Sequence, residues 1–162
     1  MKKSVFVWSA ALLTVGALSI GILPLAAQEP PPPIATEILT PRSVFPDDVR
    51  MKVRIDDTVV KVVDPSRIVT GRFTIQPGAQ FPWHTHAGPV FVNVTEGALT
   101  YVESDCGERA YPAGTAFVDA GHGHVHSAYN GTGGVTVIVA TFFEAPAEGS
   151  LLIPADPPAC AT

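Results

Sequence analysis

The feature that most constrains the fold is a series of short apolar segments, each of which ends at a turn signal. Such segments, rich in Val, Ile, Phe and Tyr and closed by Gly, Pro, Asn or Asp, are typical of β-strands. They occupy positions 51–55, 58–63, 68–76, 81–86, 90–94, 99–103, 109–111, 115–119, 125–129 and 135–143. No amphipathic helix of more than about ten residues interrupts them. The sequence therefore predicts one all-β domain, either a sandwich or a barrel.

The N-terminus has the pattern of a secretory signal peptide. Lys2 and Lys3 precede an almost wholly apolar run over residues 5–25, and small residues end it at Ala27-Gln28. We expect cleavage after Ala27, so that residues 1–27 are removed. The alternative is an uncleaved anchor, because the run approaches the roughly 20 residues that span a bilayer. Both interpretations place the folded part outside the cytoplasm, secreted or periplasmic.

The remaining chain divides into three parts by composition. Residues 28–50 are a proline-rich leader with four consecutive prolines at 30–33, residues 51–145 are the predicted barrel, and residues 146–162 are a Pro- and Ala-rich coil tail. The net charge is −5, and removing two lysines with the signal makes it −7. An acidic surface without Lys/Arg clusters excludes nucleic acid as a partner and, apart from an N-terminal anchor, a membrane. Monomer and homodimer both stay open.

Two cysteines, Cys106 and Cys160, are present. An even pair in an oxidising compartment predicts a disulfide, which here ties the tail to a loop of the barrel. The alternative is two free thiols.

All five histidines lie in two short stretches, residues 83–86 and 121–126. In a strand, residues i and i+2 point to the same face, so His84 and His86 can project together into a barrel interior. A third imidazole comes from the second stretch. Neutral imidazole suits Zn, Cu, Fe and Ni better than Mg or Ca, so the histidines predict a transition-metal site. The alternative is a barrel that has lost its metal.

The spacing of these residues resembles the two motifs of the cupin superfamily. In the first motif, Gly78 is followed after five residues by His84-Thr85-His86, and Gly97 ends it. The second motif matches Gly107, the turn at 112–114 and the stretch from His126 to residue 130, with a longer gap before the histidine than usual. The resemblance covers roughly residues 68–143 and implies a single cupin barrel, a jelly roll or double-stranded β-helix. It is strongest for small secreted cupins with a mid-chain and a near-terminal cysteine, which adds support for the Cys106–Cys160 pair.

One position departs from the motif, because Val90 stands where the family has a metal-binding glutamate. The resemblance then implies a three-histidine site of His84, His86 and His126, as in the thiol dioxygenase branch of cupins. His126 is preferred over His124 because only His126 has the motif spacing to Asn130. His124 stays open as a fourth ligand or a partner of the ligands.

The predicted function is that of an exported metalloprotein that acts on a small molecule, as a dioxygenase-like or lyase-like enzyme. A non-catalytic barrel that binds a small molecule or a metal is the alternative. The metal is a divalent transition ion, Zn, Fe, Cu or Mn: acquisition outside the cytoplasm favours Zn or Cu, whereas the dioxygenase resemblance favours Fe. Glu103 and Asp119 are candidates for a general base. Residues expected to line a pocket, with simple core packing as the alternative for the aromatic ones, are Phe81, Trp83, Val90, Phe91 and Tyr101.

Overall fold

The structure is a computed structural model that describes residues 30–55, 57–62 and 67–161. The predicted signal peptide, and with it the choice between cleavage and anchoring, lies outside these residues. Among the described residues, no helix is long and apolar enough to cross a membrane. The strands are β1 Ile34–Ile38, β2 Ser43–Val44, β3 Met51–Ile55, β4 Thr58–Val62, β5 Arg67–Ile75, β6 Gln80–Thr85, β7 Val90–Glu96, β8 Ala98–Val102, β9 Glu108–Pro112, β10 Ala116–Asp119, β11 His126–Tyr129, β12 Thr136–Phe142 and β13 Ile153–Pro154.

Eight of these strands, β5 to β12, form two antiparallel sheets. The first sheet has the order β5-β12-β7-β10 and the second has the order β6-β11-β8-β9. Apart from the β8–β9 hairpin, each strand of this series lies in the other sheet from the strand before it. This strand order is that of a jelly roll, which confirms the predicted all-β barrel.

The core lies between the two sheets and follows from the alternation of side chains along each strand. In β12 every second residue is buried, ending at Phe142, which is 5% exposed. Phe142 and Phe73 of β5 pack with ring centroids 6.1 Å apart. Each such side chain contributes roughly 1.5–3 kcal/mol by burial. β12 lies between β5 and β7 in the first sheet.

The segments on either side of the barrel are more ordered than their composition suggests. The leader supplies β1, whose five residues pair antiparallel with the outer edge of β5. β3 and β4 pair antiparallel and form a sheet of their own. In the tail, β13 pairs with β6, and a 3-10 turn spans Ala159–Ala161. The leader and the tail were expected to be strap and coil, but backbone pairing to exposed sheet edges makes part of each a strand.

Candidate functional site

Three of the five histidines meet inside the barrel. His84 lies on β6 and His86 just beyond its end, while His126 opens β11, where it is the direct register partner of His84. All three side chains are buried, with exposed fractions of 4%, 6% and 4%. The ring centroid of His84 lies 4.2 Å from that of His126 and 4.8 Å from that of His86. One ring nitrogen of each residue lies within 4.8 Å of the others, which is the arrangement of a metal-binding group.

The backbone fixes which nitrogen of each ring faces the cluster. Nδ1 of His84 lies 2.6 Å from the carbonyl oxygen of Pro82, and Nδ1 of His86 lies 2.8 Å from that of Leu151. Nδ1 of His126 lies 3.3 Å from the carbonyl oxygen of His124. A carbonyl oxygen only accepts, so each Nδ1 carries the proton and each Nε2 keeps a free lone pair. This donor set fits a divalent transition ion held by three imidazoles.

Burial also keeps these imidazoles neutral. Desolvation, followed by the nearby charge of His126, lowers the pKa of His84 to about 3. Desolvation lowers the pKa of His126 to about 4 and also lowers the pKa of His86. Metal binding requires the neutral imidazole, so at neutral pH no proton has to leave these rings before an ion binds.

The histidines lie at the wall of a cavity of about 50 Å³ between the two sheets. This is room for a few water molecules or a very small ligand. Apart from the three histidines, its polar lining side chains are Tyr101 and Asp119. Val90, which is 1% exposed, lines it with a hydrocarbon side chain where the motif has a carboxylate. The rest of the lining is apolar and includes Phe73, Phe81, Phe117, Phe142 and Leu152.

Two of the residues expected in the pocket lie elsewhere. Trp83 points away from the cavity, because neighbours of His84 in a strand face the other side, and it lines a surface groove with Pro154. Phe91 follows Val90 and packs against Phe143 with ring centroids 5.2 Å apart. Trp83 and Phe91 therefore do not line this cavity.

Asp119 is a buried acid beside the histidines, and its side chain is 2% exposed. Oδ1 accepts the backbone N–H of Gly121 at 2.8 Å, and Oδ2 accepts the hydroxyl of Tyr101. Burial alone would raise the pKa of this carboxyl, but hydrogen bonding with His124, the charge of His126 and the Tyr101 hydroxyl bring it down to about 2. Desolvation and the neighbouring Asp119 charge raise the pKa of Tyr101 far above its ordinary value. Asp119 is thus an ionised carboxylate and Tyr101 a neutral phenol.

The other two histidines lie nearer the surface. His124 places Nδ1 3.4 Å from Asp119 and Nε2 3.0 Å from Glu103, and these contacts raise its pKa. It is outside the three-histidine group, although it forms a second group of ligand atoms with Asp119 and His126. His122 is 42% exposed and pairs with Glu144 at 2.5 Å. His124 thus connects the buried acid to the surface.

Two contacts of the site come from the tail, which is distant along the sequence from the histidines. The Leu151 carbonyl orients His86 across 65 positions, and Leu152 lines the cavity. Both belong to the tail, where no residue type signals a role. Asp119 was noted as a candidate base, but only the strand pairing shows which way it faces.

A disulfide joins Cys106 to Cys160, as predicted, with Cα atoms 6.2 Å apart. It anchors the tail whose Leu151 carbonyl holds His86. A disulfide indicates an oxidising compartment.

The strand order defines a single jelly-roll barrel with inward-facing histidines, which is the fold that the resemblance to the two cupin motifs predicted. No protein-family model matches the chain, and no curated protein matches it. Solved structures to which it is similar include the polyketide cyclase RemF from Streptomyces resistomycificus, with 21% identity over 55% of this chain and 61% of that one and a TM-score of 0.46. KdgF from Halomonas sp. has 18% identity over 74% of this chain and 86% of that one, with a TM-score of 0.49. A cupin domain from Bordetella pertussis has 15% identity over 73% and 100%, with a TM-score of 0.47.

These likenesses are distant. The matched part spans less than two thirds of the cyclase, and all three TM-scores are below 0.5. The fold therefore rests on the strand order of the chain itself, and metal ligation by the three histidines stays a prediction.

Proposed function

We propose that this protein is an exported metalloprotein in which His84, His86 and His126 bind one divalent transition metal ion and present it to a small molecule. The observation that carries the proposal is the orientation of the three rings. Each Nδ1 faces a backbone carbonyl oxygen, so that each Nε2 is the lone-pair nitrogen. The ligand atoms of the three residues lie within 4.8 Å of one another, so one ion could accept all three lone pairs.

An ion bound by three neutral imidazoles keeps its full charge and open coordination positions, and so supplies Lewis acidity or a site for dioxygen to the bound molecule. The chain's own residues do the rest. Val90 lines the cavity without adding a carboxylate, and Phe117 and Leu152 add apolar surface to its lining. Tyr101 offers a neutral hydroxyl at the cavity wall. This combination supports a dioxygenase-like or lyase-like reaction on a small substrate.

A second candidate is a barrel that binds a metal or a small molecule without converting it. The size of the cavity favours this candidate, since about 50 Å³ is small beside the several hundred Å³ of usual substrate pockets. Export to the periplasm or the medium is supported by the signal-like sequence of residues 1–27 and by the Cys106–Cys160 disulfide.

Elemental analysis of the purified protein, after incubation with Zn, Fe, Cu or Mn salts and removal of the excess, tests the metal site. We expect one equivalent in the wild type and none in His84→Ala or His126→Ala. His122→Asn is the matched control, because it removes an imidazole from the same loop and Asn tolerates its positive φ. Wild-type protein that retains no transition metal would refute the proposal.

Oxygen uptake by the loaded protein with small thiols, diketones and phenols separates the two candidates. Uptake that is lost in His84→Ala identifies an oxygenase. Metal retention without turnover of any of these compounds supports the binding barrel.

A further inference from the structure

Asp119 lies beside Val90, on the neighbouring strand of the same sheet. The two residues are register partners in the β7–β10 pairing, and both side chains line the cavity that contains the histidines. Directly opposed residues of an antiparallel pair have Cβ atoms roughly 4.5–5.5 Å apart on one face. The carboxylate of the site is therefore on the strand next to the one that carries Val90.

The contacts of Asp119 leave its negative charge without a permanent cation. Backbone Gly121 N–H and the Tyr101 hydroxyl donate to it, and both donors are neutral. Its ion-pair contacts among the described residues are to imidazoles, Nδ1 of His126 at 3.1 Å and Nδ1 of His124 at 3.4 Å. A carboxylate that is 2% exposed is costly unless a positive charge lies close by.

His126 connects this charge to the three-histidine group. Its ring stacks on Tyr101 at 4.9 Å and 18°, and the hydroxyl of the same Tyr101 holds the Asp119 oxygen that faces Nδ1. The hydrogen bond of His126 Nδ1 is to the His124 carbonyl oxygen, and the Asp119 oxygen lies 3.1 Å from the same nitrogen as an ion-pair contact. A carboxylate this close to Nδ1 favours the proton on that nitrogen and makes the other nitrogen, Nε2, a stronger ligand.

We propose that Asp119 is a positioning residue of the metal site, which holds His126 through Nδ1 and supplies the negative charge that three neutral imidazoles lack. The inference rests on the proposed function, because it needs an ion at the three-histidine group. The bound ion and the Asp119 carboxylate then lie on opposite sides of one imidazole ring and compensate each other's charge in the low-dielectric core.

The test is the Kd for Zn²⁺, measured by competition with a chromophoric chelator, in the wild type and in Asp119→Asn. Asn is the same size, so its amide oxygen can still accept from Gly121 while the charge is lost. We expect binding to be about 10- to 100-fold weaker. The thermal midpoint of the metal-free variant, measured in chelator, reports the structural role separately.

Two further variants separate charge from packing. Tyr101→Phe keeps the carboxylate and the ring stacked on His126, and we expect a smaller loss of affinity than in Asp119→Asn. Glu103→Gln removes a carboxylate whose ion pair among the described residues is with His124 rather than with one of the three ligands, and we expect a smaller change in Kd than in Asp119→Asn.

The outcomes are distinguishable from those that bear on the proposed function. Wild-type protein that binds no Zn²⁺ refutes the three-histidine site itself. Tight binding in the wild type and an equal Kd in a folded Asp119→Asn refute the role of Asp119.

Discussion

Removing the disulfide by Cys106→Ser/Cys160→Ser is expected to destabilise the whole barrel. The two cysteines are 54 positions apart, and closing a loop of that length in the unfolded chain contributes about 4 kcal/mol. For a domain of this size the loss lowers the thermal midpoint by about 15 °C. The disulfide stabilises the fold by restricting the unfolded chain, so the folded variant is expected to keep the same strands.

The same variant should loosen the tail locally. Ala155 donates its N–H to the carbonyl oxygen of Trp83 at 3.1 Å, and Leu151 holds His86 from the same segment. Without the covalent anchor this short edge pairing opens more often than the barrel unfolds. Hydrogen exchange of the Ala155 amide measures the opening, and scanning calorimetry measures the midpoint. An unchanged midpoint together with an equally protected Ala155 amide would refute the reasoning.

Two further predictions concern stability. The pKa values of His84 and His126 in the folded protein are about 3 and 4, below their ordinary 6.5, so the unfolded chain binds protons first as the pH falls. The free energy of unfolding of the metal-free protein should therefore fall by roughly 1.4 kcal/mol per pH unit for each group between about pH 6.5 and 4. Denaturant titrations at pH 7 and pH 5 check this, and equal unfolding free energies would contradict it. Gly121→Ala should destabilise the protein, because φ is +61° and a Cβ would meet the Gly88 carbonyl, whereas Gly133→Ala has open space. Urea midpoints of the two variants measure the difference, and equal midpoints would contradict a close contact between residue 121 and the Gly88 carbonyl.

The barrel strands were predictable because their side chains face a core on one side only. Period-2 alternation and turn residues marked β5 to β12 to within a few positions, and the His84/His86 pair followed from the same period. The position of His126 came from motif spacing, and the structure makes it the register partner of His84. The local sequence pattern thus predicts which residues share one face of a strand, but not which strands pair.

The remaining features depend on contacts between distant segments. β1 was missed because proline-rich composition signals a leader, while its pairing partner is the exposed edge of β5. The tail strand β13 has only two residues, too few for any periodicity. Asp119 looks like an ordinary polar residue at the end of a strand, and the burial of its carboxylate follows only from the strand opposite. Trp83 and Phe91 were placed by residue type rather than by strand face.

The most direct test of the three-histidine site is X-ray absorption spectroscopy of the zinc-loaded wild-type protein. We expect three imidazole nitrogens at about 2.0–2.1 Å, with the remaining coordination from oxygen. The spectrum of His126→Ala should show fewer imidazoles or no bound zinc. A wild-type spectrum with sulfur in the coordination sphere, or with fewer than three imidazoles, would contradict the site described here.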